Sequence, residues 1–262
     1  MTQNNPTTTR LCSKMRQAGY KKFKIERIKK LVDELQQHGV QGIDRFVQKL
    51  VERVTNEQEY FDILMEGRFA LILARNGFSQ IQIEYFDEGP DLKANYNRRT
   101  VYFEVTRRHS EVDEWAKQSA DALPPPDNPE NIIGRIQGKM SQLRSGEVNI
   151  LVFWSDTVAV LESEMREAFE YIYQEINCNP GVYGKLSGVL FTTGGVNVAN
   201  LKQFYLFTNN KASKLFPIRL ARKLESLCEE DRGRLQKKFD ALFIAMREPC
   251  DSRAQQNNDR KN

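Results

Sequence analysis

Two acidic residues, Asp91 and Glu104, are spaced so that a β-hairpin would place them side by side. A polar turn joins two β segments, Asp91–Ala94 and Thr100–Thr106. If the hairpin is centred just after Asn97, Asp91 lies directly opposite Glu104, and opposed residues share one face of the sheet. Neighbouring carboxylates repel each other unless a cation lies between them, and hard divalent cations take oxygen ligands of this kind. The spacing therefore predicts a site for Mg²⁺ or Mn²⁺, which can polarise a phosphodiester and lower the pKa of an attacking water.

The same hairpin would surround this acidic pair with further polar groups. Side chains alternate across a strand, so Tyr102 shares the face of Glu104, and Lys93 would lie opposite Tyr102 on that face. The carbonyl oxygen of Val105 offers a third metal ligand. A slip of one residue in register would separate these groups. The simpler alternative, in which Asp91 caps a turn and Glu104 is a surface residue of a strand, stays open.

A third carboxylate, Glu66, falls within an apolar stripe of a predicted helix over Glu57–Asn76. Its neighbours at helical spacing include Ile63, Phe69 and Leu73. A carboxylate amid apolar side chains is costly unless it has a partner, and a metal ion or a cation on the sheet beneath would serve. Glu66 is therefore a predicted ligand of the same metal. The alternative is a residue at the rim of the stripe that reaches out to water.

These residues belong to four short motifs, Glu66–Ala70, Gly77-Phe78, Gly89–Leu92 and Val101–Thr106. In this order the motifs resemble the PD-(D/E)XK phosphodiesterase superfamily, whose signature is a Glu on a helix, an Asp that opens the second strand and Glu-x-Lys on the third. The resemblance covers roughly Glu57 to Thr192. It implies a restriction-endonuclease-like core and a nuclease that hydrolyses phosphodiester bonds of DNA with Mg²⁺ or Mn²⁺.

The chain departs from that pattern at Thr106, where the superfamily has its lysine. Lys93 is the first candidate to replace it, because the proposed hairpin places Lys93 on the carboxylate face. Lys139 is the second, since it lies with Arg135 and Gln142 along one edge of an amphipathic helix and can reach in from there. Arg135 and Gln142 are predicted contacts for nucleic acid, with a solvated helix flank as the alternative. The missing lysine also keeps open a catalytically silent module that binds nucleic acid or a protein partner.

Other cations are placed where phosphate contacts would be expected. Arg107 and Arg108 follow the third strand directly, and cations at a strand end beside a metal site suit phosphates. The segment from Lys14 to Lys30 is strongly basic, and its members include Lys21, Lys22 and Lys24. These lysines are predicted to hold the phosphate backbone. Ordinary solvated surfaces are the alternative for both groups.

The order of predicted elements is helix, strand meander, helix, strand, helix, strand, which is typical of an α/β protein with a mixed central sheet flanked by helices. We predict a helical, basic N-terminal region over 1–56 and a nuclease-like α/β core over 57–210. A C-terminal extension over 211–262 is predicted to be helical from Pro217 to Met246 and disordered beyond. Residues Met1–Arg10, which are polar and without periodicity, are also predicted to be disordered.

Residue composition and spacing argue against several other kinds of protein and site. The four cysteines are far apart in sequence, which is not the paired spacing of a zinc site. No apolar run approaches the ~20 residues of a membrane helix, and the N-terminus lacks the apolar centre of a secretion signal, so we expect a cytoplasmic protein without a membrane partner. No glycine-rich phosphate loop follows a first strand. The expected partner is nucleic acid, DNA before RNA, with a homodimer as an open alternative and a purely structural protein as the remaining rival.

Overall fold

The structure, a computed structural model, describes the chain over residues 6–83, 89–107, 129–154, 162–192, 204–214 and 216–227. Four helices precede the sheet, and each has an apolar stripe that is buried. They are α1 (Pro6–Gln17), α2 (Lys22–Gln37), α3 (Ile43–Arg53) and α4 (Glu57–Arg75). Helix α4 confirms the helix predicted over Glu57–Asn76, and α2 and α3 lie in the region predicted to be helical.

Helix α1 corrects the prediction that Met1–Arg10 is disordered, because residues 6–10 form its first turns. Proline is favourable at the first position of a helix, where its missing N–H group has no partner to lose. Leu11 and Met15 lie one turn apart and are fully buried. These apolar residues begin at Leu11, so residues 1–10 taken alone show no helical periodicity.

Gly42 sets the junction between α2 and α3, where the chain passes close to the sheet. Its φ of +79° is in the left-handed region, and a Cβ at this position would lie 2.0 Å from the carbonyl oxygen of Ile83. Only glycine tolerates both conditions. Gln41 beside it forms an isolated bridge to Gln82. The N-terminal helices are thereby attached to the edge of the sheet.

Within the described ranges, six strands form one mixed sheet in the order β1 to β6. The first three strands make an antiparallel meander, β4 and β5 continue parallel to β3, and β6 is antiparallel to β5. The strands are β1 (Ser79–Ile83), β2 (Leu92–Tyr96), β3 (Arg99–Arg107), β4 (Asn149–Trp154), β5 (Gly188–Thr192) and β6 (Tyr205–Thr208). The predicted α/β class with a mixed central sheet is confirmed.

Helices cover both faces of this sheet. One face, which includes Phe103 and Val105, packs with α1 to α4 in a single hydrophobic cluster. The other face, which includes Leu151 and Phe153, is covered by the later helices. These are α5 (Pro129–Lys139), which continues as a 3-10 turn over Met140–Gln142, α6 (Glu162–Cys178) and α7 (Pro180–Tyr183). No helix in the described stretches is long and apolar enough to cross a membrane.

In the part of the chain that the structure describes, β6 is followed by α8 (Ile218–Glu225). We predicted one helix from Pro217 to Met246, but α8 ends at Glu225, and Ser226 caps it with a hydroxyl bond to the carbonyl of Lys223. Serine readily bonds nearby backbone and favours helix ends over interiors. The rest of the predicted helix lies outside the described residues.

Asn149 fixes the loop that joins α5 to β4. Its side chain is fully buried at the start of β4. The amide nitrogen donates to the carbonyl oxygens of Arg144, Glu147 and Lys185, and the amide oxygen accepts from the N–H of Arg144. Such a satisfied buried network specifies one arrangement of the backbone. Lys139, the final residue of α5, is separated from this loop by the 3-10 turn.

Candidate functional site

The hairpin between β2 and β3 has the register that the sequence predicted. Asn97 and Arg98 form the turn with φ values of +49° and +62°, as in the two-residue turns that match the twist of a hairpin. Lys93 pairs with Tyr102, and Leu92 pairs with Phe103. The next position along each strand brings Asp91 opposite Glu104. The turn is shorter than the segment Asn95–Arg99 that we predicted, because the strands continue up to it.

Asp91 lies just beyond the paired part of β2 and is attached to β3 by its side chain. Its Oδ2 atom accepts a hydrogen bond of 2.8 Å from the backbone N–H of Val105. In an antiparallel ladder the N–H and C=O groups of one residue emerge from the same edge of the strand. The carbonyl of Val105 therefore also lies on the edge that faces Asp91. This contact fixes the Asp91 carboxylate beside the segment that contains Glu104.

Glu104 forms an ion pair with Lys139 in the interior. The Nζ atom of Lys139 donates to Oε1 of Glu104 at 2.7 Å, and the Glu104 side chain is 1% exposed while that of Lys139 is 29% exposed. Glu104 lies on the face that α5 covers, because its partner in the sheet is Leu151 and Leu151 packs under α5. Lys139 therefore reaches the carboxylate from the end of a neighbouring helix.

The pKa of Lys139 shows that the three predicted carboxylates act on one ammonium group. Burial alone would lower this pKa, but the charge and hydrogen bond of Glu104, and then the charges of Asp91 and Glu66, raise it above its ordinary value. Burial disfavours a charged lysine, whereas nearby opposite charges favour it. Lys139 is consequently protonated throughout the neutral range, and it cannot serve as a base there.

Glu66 is buried on α4, as the apolar stripe predicted, with 8% of its surface exposed. The stripe packs against the sheet face opposite the one that α5 covers. Among the described residues, no three His, Cys, Asp or Glu side chains form a group that could hold a metal ion. The hairpin itself offers oxygen from the carboxylates of Asp91 and Glu104 and the carbonyl of Val105, and the role of Glu66 as a further metal ligand stays a prediction.

No family model, curated protein or solved structure matches this chain. The likeness to PD-(D/E)XK nucleases consequently stays a prediction that rests on the motif order. Thr106, at the position of the superfamily lysine, is buried at 9% exposure on the same strand as Glu104. Lys93 faces Tyr102 as its register predicted, and it is half-buried. Lys139, our second candidate, makes the direct contact with Glu104.

The arginine at the end of β3 is held by the protein itself. Arg107 has a side chain that is 9% exposed, and its Nε donates to Asp62 on α4 at 3.0 Å. Its guanidinium also lies 5.3 Å from the centre of the Phe61 ring. Sequence reasoning missed Asp62, although its place one turn before Glu66 was a signal that the two share a face. These contacts place Arg107 between the strand and the helix rather than in solvent.

The remaining predicted contacts for nucleic acid are distributed over two surfaces. Arg135 is half-buried and donates to the backbone carbonyl of Arg107 at 3.3 Å, and Gln142 is half-buried in the 3-10 turn that follows α5. Lys21 and Lys22 are exposed at the start of α2, and Lys24 lies 5.7 Å from the centre of the Tyr20 ring. Arg108 lies outside the described residues.

Proposed function

We propose that this chain is a divalent-metal-dependent nuclease that hydrolyses phosphodiester bonds of DNA. The observation that carries the proposal is the contact between Lys139 and Glu104 beside Asp91. A nuclease of this type needs two carboxylates and a cation at one place, and the chain has Thr106 where the usual lysine would stand. Lys139 supplies an ammonium group to the same carboxylate from another element.

Each residue has a distinct role in this proposal. Asp91, Glu104 and the carbonyl of Val105 would hold the metal, which when bound polarises the phosphate and makes a water more acidic. Lys139 keeps its proton, so it donates hydrogen bonds to the negative charge that develops on the phosphate oxygens. An attacking water would form the new bond to phosphorus as the bond to the leaving ester oxygen breaks. The proton that the water loses would pass through solvent to that oxygen, so Lys139 ends with its own proton.

A second candidate function is a silent module that binds nucleic acid or protein through the same fold. The observation that favours it is that both carboxylates already have partners within the protein. Glu104 pairs with Lys139, and Asp91 accepts from the N–H of Val105. A metal would have to compete with the ammonium group for Glu104. In the silent module these contacts serve folding alone.

Cleavage with and without metal separates the two functions. We expect the wild type to nick or cut DNA in Mg²⁺ or Mn²⁺ and to be inactive in a chelator. The substrates are supercoiled plasmid, linear duplex, single-stranded DNA and RNA. Asp91→Ala is expected to reduce the rate by at least about a hundredfold, because one of two metal carboxylates is lost. Asp44→Ala, at an exposed acid in α3, is the matched control and keeps the wild-type rate.

Two results would end the nuclease proposal. One is the absence of any metal-dependent product from the wild type on all four substrates. The other is an Asp91→Ala variant as active as Asp44→Ala, because the product would then come from a different site or a contaminant. Affinity for DNA that falls with rising salt, in a protein that cannot cleave, would favour the silent module.

A further inference from the structure

A trough runs between α2 and α4, with a cavity volume of about 480 Å³. The two helices run in the same direction along it. At one end the rings of Tyr20 and Tyr60 lie 5.5 Å apart, and at the other end Glu34 pairs with Arg75. Apart from Met15, the residues that line the trough lie between positions 20 and 34 on one side and between positions 60 and 75 on the other. At 1.5 Å per residue, the trough is about 20 Å long, or about four helical turns.

The walls of the trough are apolar and its rim is cationic. Leucine, isoleucine and methionine side chains form the floor, among them Leu31, Leu64 and Leu71. Five cations line the same trough against a single acid, Glu34, which pairs with Lys30 and Arg75. The cations are Lys24, Arg27, Lys30, Arg68 and Arg75. This pattern is complementary to a ligand that has an apolar face and acidic flanks.

Phe23 gives the trough an exposed aromatic residue at its edge. Its side chain is 52% exposed, although it is a large hydrophobic residue, and the Arg27 guanidinium lies 5.6 Å from the centre of its ring. Aromatic residues and arginine are the types enriched in the centres of protein interfaces. An exposed Phe beside Arg therefore fits a protein partner.

We propose that this trough binds an acidic amphipathic helix of a partner protein, a role separate from the proposed nuclease activity. A helix of about four turns with apolar residues at positions i, i+3, i+4 and i+7 fits the length and the floor. Acidic residues that flank this stripe would face the cations of the rim. Charge complementarity of this kind determines which partner binds and how fast it associates.

Single-stranded nucleic acid fits the trough less well than a helix does. Nucleobases bind to single-strand sites by stacking on aromatic platforms, while their edges need hydrogen-bond partners. Leu31, Leu64 and Leu71 on the floor offer neither. Of the rings that line the trough, Tyr60 is buried and only Phe23 is exposed. The chain's own segment 228–246 is also less suited, because its four acidic residues are balanced by four basic ones. A separate acidic helix is the occupant that the charges favour.

Peptide binding tests this proposal. The probe is a fluorescein-labelled peptide of about five helical turns, with leucines on one face and glutamates beside them. Its anisotropy is measured against the full chain. Three comparison ligands are used: the same peptide with lysine for glutamate, a scrambled peptide of the same composition, and labelled oligothymidylate. We expect the acidic amphipathic peptide to bind most tightly.

Variants then locate the binding on the trough. The double variant Arg27→Glu/Lys30→Glu reverses two rim charges one turn apart, and we expect the Kd of the acidic peptide to rise by about tenfold. Phe23→Ala, at an exposed position, should weaken the binding of the same peptide. Lys29→Glu is the matched control, since it lies on α2 outside the lining of the trough. Thermal unfolding of each variant shows that the fold is retained.

Three outcomes would overturn the proposal. The first is no binding of the acidic peptide, or equal binding of the lysine or scrambled peptide. The second is an equal loss of affinity in Lys29→Glu, because the attraction would then be general to the basic surface. The third is tighter binding of oligothymidylate that is lost in Arg27→Glu/Lys30→Glu, which would make the trough a site for single-stranded nucleic acid.

Discussion

Replacing Lys139 with methionine is expected to reduce DNA cleavage by about 10²–10³-fold, the cost of removing one donor from a developing negative charge. Methionine keeps much of the length and apolar character of lysine without its charge, so the packing of α5 should survive. DNA affinity should stay close to that of the wild type, because the ammonium group acts on the transition state more than on the bound substrate. Single-turnover cleavage and equilibrium binding to the same labelled DNA measure the two quantities separately.

The same variant should bind metal more tightly than the wild type. Lys139 contacts Glu104 in the interior, and its positive charge opposes a second cation at the hairpin. Calorimetric titration with Mn²⁺ is therefore expected to give a lower Kd for Lys139→Met, while cleavage falls. Lys211→Met, at an exposed lysine after β6, should change neither quantity. A Lys139→Met variant that cleaves at the wild-type rate would remove the lysine from the proposed mechanism.

Replacing Glu104 with glutamine is expected to lower the free energy of unfolding by about 2–4 kcal/mol, because Lys139 would remain largely buried without its carboxylate. Glutamine preserves the shape of the side chain, so the loss of stability measures the effect of removing the charge. In the double variant Glu104→Gln/Lys139→Met much of this stability should return, since both members of the pair are then neutral. Urea unfolding at neutral pH measures the free energy of unfolding of the wild type, of each single variant and of the double variant. Glu170→Gln, at an exposed acid on α6, should stay within about 0.5 kcal/mol of the wild type.

The pH dependence of this pair has a defined direction. The folded-state pKa of Lys139 is raised, so its contribution to stability is complete below the ordinary lysine pKa of about 10.4. That contribution is lost as the pH rises through the higher folded-state value. The stability difference between wild type and Glu104→Gln/Lys139→Met, in which neither member of the pair titrates, should therefore be constant from pH 6 to 9 and change only in strong alkali. A difference that changes near neutral pH would contradict the assignment of the charge to Lys139.

The hairpin could be predicted because local sequence determines it. A polar pair, Asn97-Arg98, separates two β segments, and a two-residue turn leaves one register in which both strands bury their apolar faces. The opposition of Asp91 and Glu104 follows from counting outwards from that turn. The hydrogen bond that the Asp91 carboxylate accepts from the N–H of Val105 could not be predicted in this way, because it depends on where β2 stops pairing with β3.

The choice between Lys93 and Lys139 could not be made from sequence. Lys93 shares the hairpin with Glu104, so its placement follows from register alone. Lys139 is 35 residues further along the chain, and its approach depends on how α5 crosses the sheet. That packing involves long-range contacts between α5 and the sheet, and the contacts of Asn149 that order the loop after α5 have no periodic signal in the sequence either. The burial of Arg107 against Asp62 was beyond sequence reasoning for the same reason.

The central claim is that Asp91 and Glu104 share one divalent cation beside Lys139. A crystal of the wild-type protein soaked in Mn²⁺ tests it most directly, with diffraction data collected near the manganese absorption edge. We expect an anomalous peak within about 2.5 Å of an oxygen of each carboxylate, the range of metal–oxygen bonds. An empty hairpin at a Mn²⁺ concentration that supports cleavage, with Lys139 still bonded to Glu104, would contradict it.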